Sequence, residues 1–246
     1  METTPTQAGH DAEPMPVIGK EGLREGMRWS WPLTPGMIVF GASVGALASQ
    51  KGLTLIETLA QCAFVYAGGA QLLGLSIWQS HWTLPTLLAV IGVTAAVNSR
   101  MFLQSASLRP WLGRLPPKIV YPTLFLMTDV TWSMGIRHRS EGGRDYAVML
   151  GSGLYMWFVW VLAAAGGYAV GQLIDDPKRY AIDLMMVFIF TIMAIPVLKR
   201  SPHIKPFAVA ALVAIGCSYF LPGFWFIIVG SMAGALAAAF PLGEDA

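Results

Sequence analysis

Residues 84–107 read LPTLLAVIGVTAAVNSRMFLQSAS. A span needs roughly 20 mainly apolar residues to cross a hydrocarbon core about 30 Å thick, and this run meets that length with one charge, Arg100, close to the amide of Asn98. Working outward from it, similar apolar runs cover about 33–49, 54–78, 119–136, 146–173, 181–198, 205–220 and 223–240. The pattern predicts an all-α, polytopic integral membrane protein with seven or eight transmembrane helices. The last two runs are short and are separated only by Leu221-Pro222-Gly223, so they form either a tight hairpin of tilted helices or one broken element.

The composition agrees. Of 246 residues, 55% are hydrophobic and 12% charged, where soluble domains carry roughly a quarter charged residues. The net charge of +2 is small and the basic residues fall between apolar runs, so there is no nucleic-acid-binding face; the expected surroundings are the lipid bilayer. Cys62 and Cys217 both lie within apolar runs, which excludes a disulfide scaffold or a cysteine zinc site. The polar start has no apolar core of a cleavable signal. Three regions are expected: a polar tail with an interfacial segment (1–30), a transmembrane transporter domain (31–241) and a short tail (242–246). In the interfacial segment Leu23, Met27, Trp29 and Trp31 oppose Lys20, Arg24, Glu25 and Arg28.

Basic clusters at Lys20/Arg24/Arg28, Arg109/Arg114/Lys118, Arg137/Arg139/Arg144 and Lys199/Arg200/Lys205 mark the loops. If every run spans and the N-terminus is cytoplasmic, the Arg109–Lys118 cluster falls outside, against the positive-inside bias. The run at 54–78 is the candidate for an incomplete span, because Ala67-Gly68-Gly69-Ala70 interrupts it and broken helices are tolerated where backbone lines a cavity. A weak internal repeat is also legible. Gly41-Ala42-Ser43-Val44-Gly45-Ala46-Leu47 resembles Gly167-Tyr168-Ala169-Val170-Gly171-Gln172-Leu173, about 126 residues later. Ordinary Gly/Ala helix packing accounts for the match equally well.

Two ionisable groups lie within apolar runs, Arg100 and Asp129. Each costs on the order of 3 kcal/mol at a helix centre on insertion scales, so each calls for a partner or a function. Counted from Arg109 and Lys118, at 1.5 Å per residue, they lie about 13 and 16 Å below the same interface, and antiparallel neighbours would bring them to similar depth. A structural ion pair, or Arg100 snorkelling to the interface, is the alternative. Asn98 and Thr128 add neutral donors and acceptors. A second constellation is Tyr66-Ala67-Gly68-Gly69-Ala70-Gln71, where the glycines invite unwinding and Gln71 supplies an amide; a small-residue helix contact is its alternative. Glu57 and Asp183 suit helix N-termini. The aromatics Tyr155, Trp157, Phe158 and Trp160 read as packing or interface-belt residues.

Enzymatic readings lack residues. Gly151-Ser152-Gly153 suggests a serine nucleophile turn, but the histidines, His10, His81, His138 and His203, lie in tails or loops. There is no His-Glu-x-x-His, Walker or Gly-x-Gly-x-x-Gly motif. No enzyme, cofactor or metal site is expected.

At these residues the chain resembles the AzlC family, the large subunit of branched-chain amino acid exporters. The resemblance rests on Phe40-Gly41-Ala42-Ser43-Val44-Gly45-Ala46-Leu47-Ala48, on Tyr66 through Gln71, on Asn98-Ser99-Arg100-Met101 and on Thr128-Asp129-Val130. Met101 stands where the family pattern has His, and Val130 where it has Glu. The resemblance implies export of valine, leucine or isoleucine and a small membrane partner of the AzlD type. The reading is therefore a secondary transporter subunit of the bacterial inner membrane, exporting small apolar amino acids and driven by the proton gradient. Arg100 would hold or balance a carboxylate, and Asp129 would contact the amino group or carry the coupling proton. Tyr66, Gly68, Gly69, Gln71, Asn98 and Thr128 would complete the substrate site. A passive channel and a non-transporting scaffold subunit are the rival readings.

Overall fold

The computed structural model of the chain describes residues 18–79, 81–113, 115–173, 204–220 and 225–239, together with Thr191 and Ile195. The run at 181–198 (apart from those two residues), Asp183, the Leu221–Gly223 connection and most of both tails lie outside the described residues. The elements are α1 (Lys20–Ser30), a 3-10 turn (Trp31–Leu33), α2 (Thr34–Gln50), α3 (Leu55–Phe64), α4 (Gly68–Ser76), α5 (Leu84–Leu112), α6 (Pro117–Phe125), α7 (Asp129–Ser140), α8 (Ala147–Gln172), α9 (Ile204–Phe220) and α10 (Trp225–Ala239). Among the described residues there is no strand. Among the described residues, three stretches are long and apolar enough to cross a membrane: Lys20–Gln50, Leu84–Leu112 and Ala147–Gln172. Two compact units are drawn from Met1–Trp31 with Gln104–Tyr155, and from Pro32–Leu103 with Met156–Ala246.

In the first unit, the stretch read from the sequence as an interfacial segment forms helix α1. This stretch continues through the 3-10 turn into α2 as one helical element, and its buried face is Gly22, Gly26 and Ser30. The tryptophans do not decide the packing, because glycines let the backbone of α1 close directly on the start of α8. A Cβ on Gly26 would collide with the Val148 carbonyl, and one on Gly151 with the Leu23 carbonyl. Asp145 fixes the start of this contact. Its carboxylate accepts from the backbone N–H groups of Gly19 at 3.1 Å, Gly22 at 3.0 Å and Ala147 at 2.9 Å. It thus supplies donors at two helix N-termini with an acceptor that neither Gly19 nor Tyr146 can offer. Farther along, Ser30 Oγ and Ser152 Oγ are 2.7 Å apart. Gly151-Ser152-Gly153 is accordingly interior helix, with Ser152 fully buried.

In the second unit, α2 and the later part of α8 repeat the device. A Cβ on Gly45 would collide with the Ala164 carbonyl, one on Gly167 with Ala42, and one on Gly171 would lie 2.8 Å from the Ala46 Cα. Residue numbers rise together on both sides, so the two segments run parallel. The two heptapeptides that match in sequence are therefore opposite faces of one close crossing. Around it lies a core of Val44, Ala48, Leu53, Cys62, Tyr66, Leu72, Leu75, Trp160 and Ala164. Tyr168 Oη donates to the Leu53 carbonyl at 3.0 Å, holding the α2–α3 connection to α8.

Substituting Gly45 with Leu should destabilise the protein by roughly 1–3 kcal/mol through overpacking. Gly216→Ala, where an added Cβ meets nothing within 4 Å, should leave the melting temperature within a degree or two. Thermal melts followed by size-exclusion chromatography in detergent check both.

Candidate functional site

The run at 54–78 breaks in the structure near the glycines that suggested it. Thr54 caps α3 in a reciprocal box, its N–H donating to Glu57 Oε2 at 2.7 Å and its Oγ1 accepting from the Glu57 N–H at 3.2 Å. The helix ends at Phe64. Tyr66 then adopts φ +44°, a left-handed conformation uncommon for a residue with a side chain, and α4 begins at Gly68. Breaking the helix leaves carbonyls of its last turn without helical partners. One of them, the Ala63 carbonyl, accepts from Trp157 Nε1 at 2.9 Å. At the other side of the break, Ala67 provides no side-chain cap for α4.

Polar atoms collect around this break. Gln71 Nε2 donates to Cys62 Sγ at 3.5 Å, a weak acceptor. Gln71 Oε1, Tyr66 Oη and Trp160 Nε1 are buried and have no hydrogen-bond partner among the described residues. The Trp160 ring packs edge-on against Phe40, centroids 5.1 Å apart, and both rings lie against Gly68, where a Cβ would fall 2.6 Å from Trp160 Cη2. The structure thus brings Tyr66, Gly68, Gly69 and Gln71 together at one break. Trp160 joins them, although the sequence offered no signal separating it from the neighbouring aromatic residues. Asn98 and Arg100 lie on α5 in the same unit. Asn98 Oδ1 is buried without a partner among the described residues, and Arg100 is exposed.

Thr128 and Asp129 belong to the other unit. The sequence reads 119–136 as one span, but the structure divides it into α6 and α7 at Leu126–Thr128. Within α6, Pro122 cannot donate to the helix. At the division, Thr128 caps α7 in a box with Thr131, whose Oγ1 accepts from the Thr128 N–H at 2.7 Å. Threonine competing for local backbone groups explains why the helix stops and restarts here. Asp129 is the first residue of α7, where the helix dipole favours an anion. Gln104 Nε2 donates to Asp129 Oδ1 at 2.8 Å, and one turn along each helix Trp132 Nε1 donates to Ser107 Oγ at 2.9 Å. These two bonds set the register between α5 and α7. The sequence reading missed Gln104, which there is one amide in an apolar run.

The family model described as AzlC protein matches residues 32–174. The chain belongs to the AzlC family. The matched region contains both helix breaks, with Asn98, Arg100 and Asp129. Among relatives of this AzlC family member, an uncharacterized membrane protein of Archaeoglobus fulgidus is 25% identical over 226 residues, covering 91% of this chain and 95% of the relative. An uncharacterized membrane protein of Helicobacter pylori strain J99 is 22% identical over 193 residues, covering 76% and 82%. No solved structure matches the chain. Family, relatives and apolar helices together make this AzlC family member a membrane protein.

Removing the cap with Thr128→Ala should lower stability by about 1 kcal/mol, while Thr128→Ser retains most of it. Chemical or thermal unfolding in detergent micelles checks the order wild type, serine, alanine.

Proposed function

We propose that this AzlC family member is a secondary active transporter subunit that exports branched-chain or other small apolar amino acids, driven by the proton gradient. What supports the reading is the presence, in one membrane chain of this family, of two helices that stop and restart beside polar residues, at Tyr66–Gln71 and at Thr128–Asp129. Non-helical backbone is tolerated at membrane depth where it is buried in protein or lines a cavity, and transporters use such breaks to meet substrate and coupling ion. In this proposal Asp129 carries the coupling proton, with Gln104 as its hydrogen-bond donor. Tyr66, Gly68, Gly69, Gln71 and Asn98 contact the substrate, and Arg100 balances its carboxylate. The α3–α4 and α6–α7 pairs each cross as one broken span, which gives seven or eight spans in a bacterial inner membrane. The two glycine-rich segments then mark the start of two repeated halves. A small partner of the AzlD type completes the transporter.

Asp129→Asn should abolish gradient-driven export while leaving insertion intact. The measurement is efflux of labelled valine, leucine, isoleucine and methionine from proteoliposomes, with and without a pH gradient, for the chain alone and with the small partner. Saturable, gradient-dependent efflux that the variant loses supports the proposal. Unchanged efflux from the variant removes Asp129 from the mechanism, and a rate that never saturates points to a channel.

A further inference from the structure

The α3–α4 break holds both halves of a recognition problem within one unit. Helix α4 starts at Gly68 without a side-chain cap, so the N–H groups of its first turn have no helical acceptor. These groups, with the positive end of the helix dipole, favour an anion. The surroundings add an independent sign of a missing ligand. Trp160 is 2% exposed, its ring touches Gly68, and Nε1 has no partner among the described residues. The Cys62 sulfur, which also faces the indole, is a weak acceptor. Gln71, 4% exposed, is an acceptor without a donor through Oε1. Tyr66 Oη is buried and also lacks a partner among the described residues. A buried site that leaves an amide oxygen unsatisfied, and an indole N–H with only a sulfur to face, carries a desolvation cost that a fitting ligand recovers. The wall is Phe40 with the edge of Trp160, and both rings close on Gly68 where a side chain would stand.

Donors and an acceptor without charged side chains suit a zwitterion. We infer that the start of α4 holds the α-carboxylate of a small amino acid through its free N–H groups and Trp160 Nε1–H, while Gln71 Oε1 accepts from the α-ammonium group. The inference rests on the amino acid reading above and extends it. It makes Trp160 a substrate-binding residue, and it requires both charged ends of the ligand.

The test is ligand-induced thermal stabilisation of the purified full chain in detergent, titrated with three probes. They are L-leucine, leucinol, which lacks the carboxylate, and 4-methyl-2-oxopentanoate, which lacks the ammonium group. Wild type should bind leucine at least tenfold more tightly than either analogue. Trp160→Phe keeps an aromatic ring but removes the donor, and should weaken leucine about tenfold, the scale of one hydrogen bond to a charged group, while leaving leucinol unchanged. Gln71→Leu should weaken leucine and leave the oxo acid unchanged. Wild-type leucine affinity in Trp160→Phe, or an equal loss for leucinol, overturns the assignment, as does the absence of leucine stabilisation in the wild type. Gradient-driven efflux in proteoliposomes distinguishes the two levels. If wild type and Trp160→Phe export leucine with the same KM, the transport reading stands and this assignment falls. If wild type exports no amino acid, the transport reading itself fails.

Discussion

An unpaired backbone N–H or carbonyl in hydrocarbon costs several kcal/mol, and that constraint explains where this chain is regular and where it is not. Its long helices satisfy their own backbones. Where a helix stops, another group takes over: Trp157 for the Ala63 carbonyl, Thr128 and Thr131 for each other's N–H groups, Asp145 for three amides around the starts of α1 and α8. The start of α4 is the contrast, with no side-chain cap from Ala67 and with Gln71 Oε1 and Tyr66 Oη buried without partners among the described residues. Irregularity with compensation is architecture, whereas irregularity without it invites a functional explanation.

The two breaks differ in how visibly the sequence records them. Gly68 and Gly69 are poor helix interior residues, so the first interruption is legible from composition alone. The second is not, because Leu126-Met127-Thr128-Asp129 reads as an apolar run with a costly charge. The structure places that charge at the first position of a helix, where an acid is favoured. The expense read from the pattern was therefore overstated for Asp129, although its hydrogen bond to Gln104 remains a specific and buildable feature. The packing face of residues 20–31 was hidden for a related reason. Large aromatic residues dominate a hydropathy pattern, but in membranes small residues decide which helix faces meet, and Gly22 and Gly26 carry no such signal.

Tertiary partners were the least legible. Trp160 sits among several aromatic residues with equal claim to attention, and only the packing of its ring on Gly68 and Phe40 sets it apart. Gln104 likewise gains meaning only from the residue opposite it. By contrast, family membership was legible because it depends on short patterns in order, and those patterns hold the residues at both breaks.

The parallel crossing of α2 and α8 has a mechanical consequence. A contact made by glycine has no side chain that can yield, so sliding one helix past the other by a residue would drive a Cβ into backbone. The crossing therefore admits discrete registers only. Trp157 and Trp160 are carried on that same helix, one pinning the end of α3 and the other lying over the beginning of α4. The glycine crossing thus acts as a gauge that sets the height of both indoles, and with them the shape of the gap between α3 and α4.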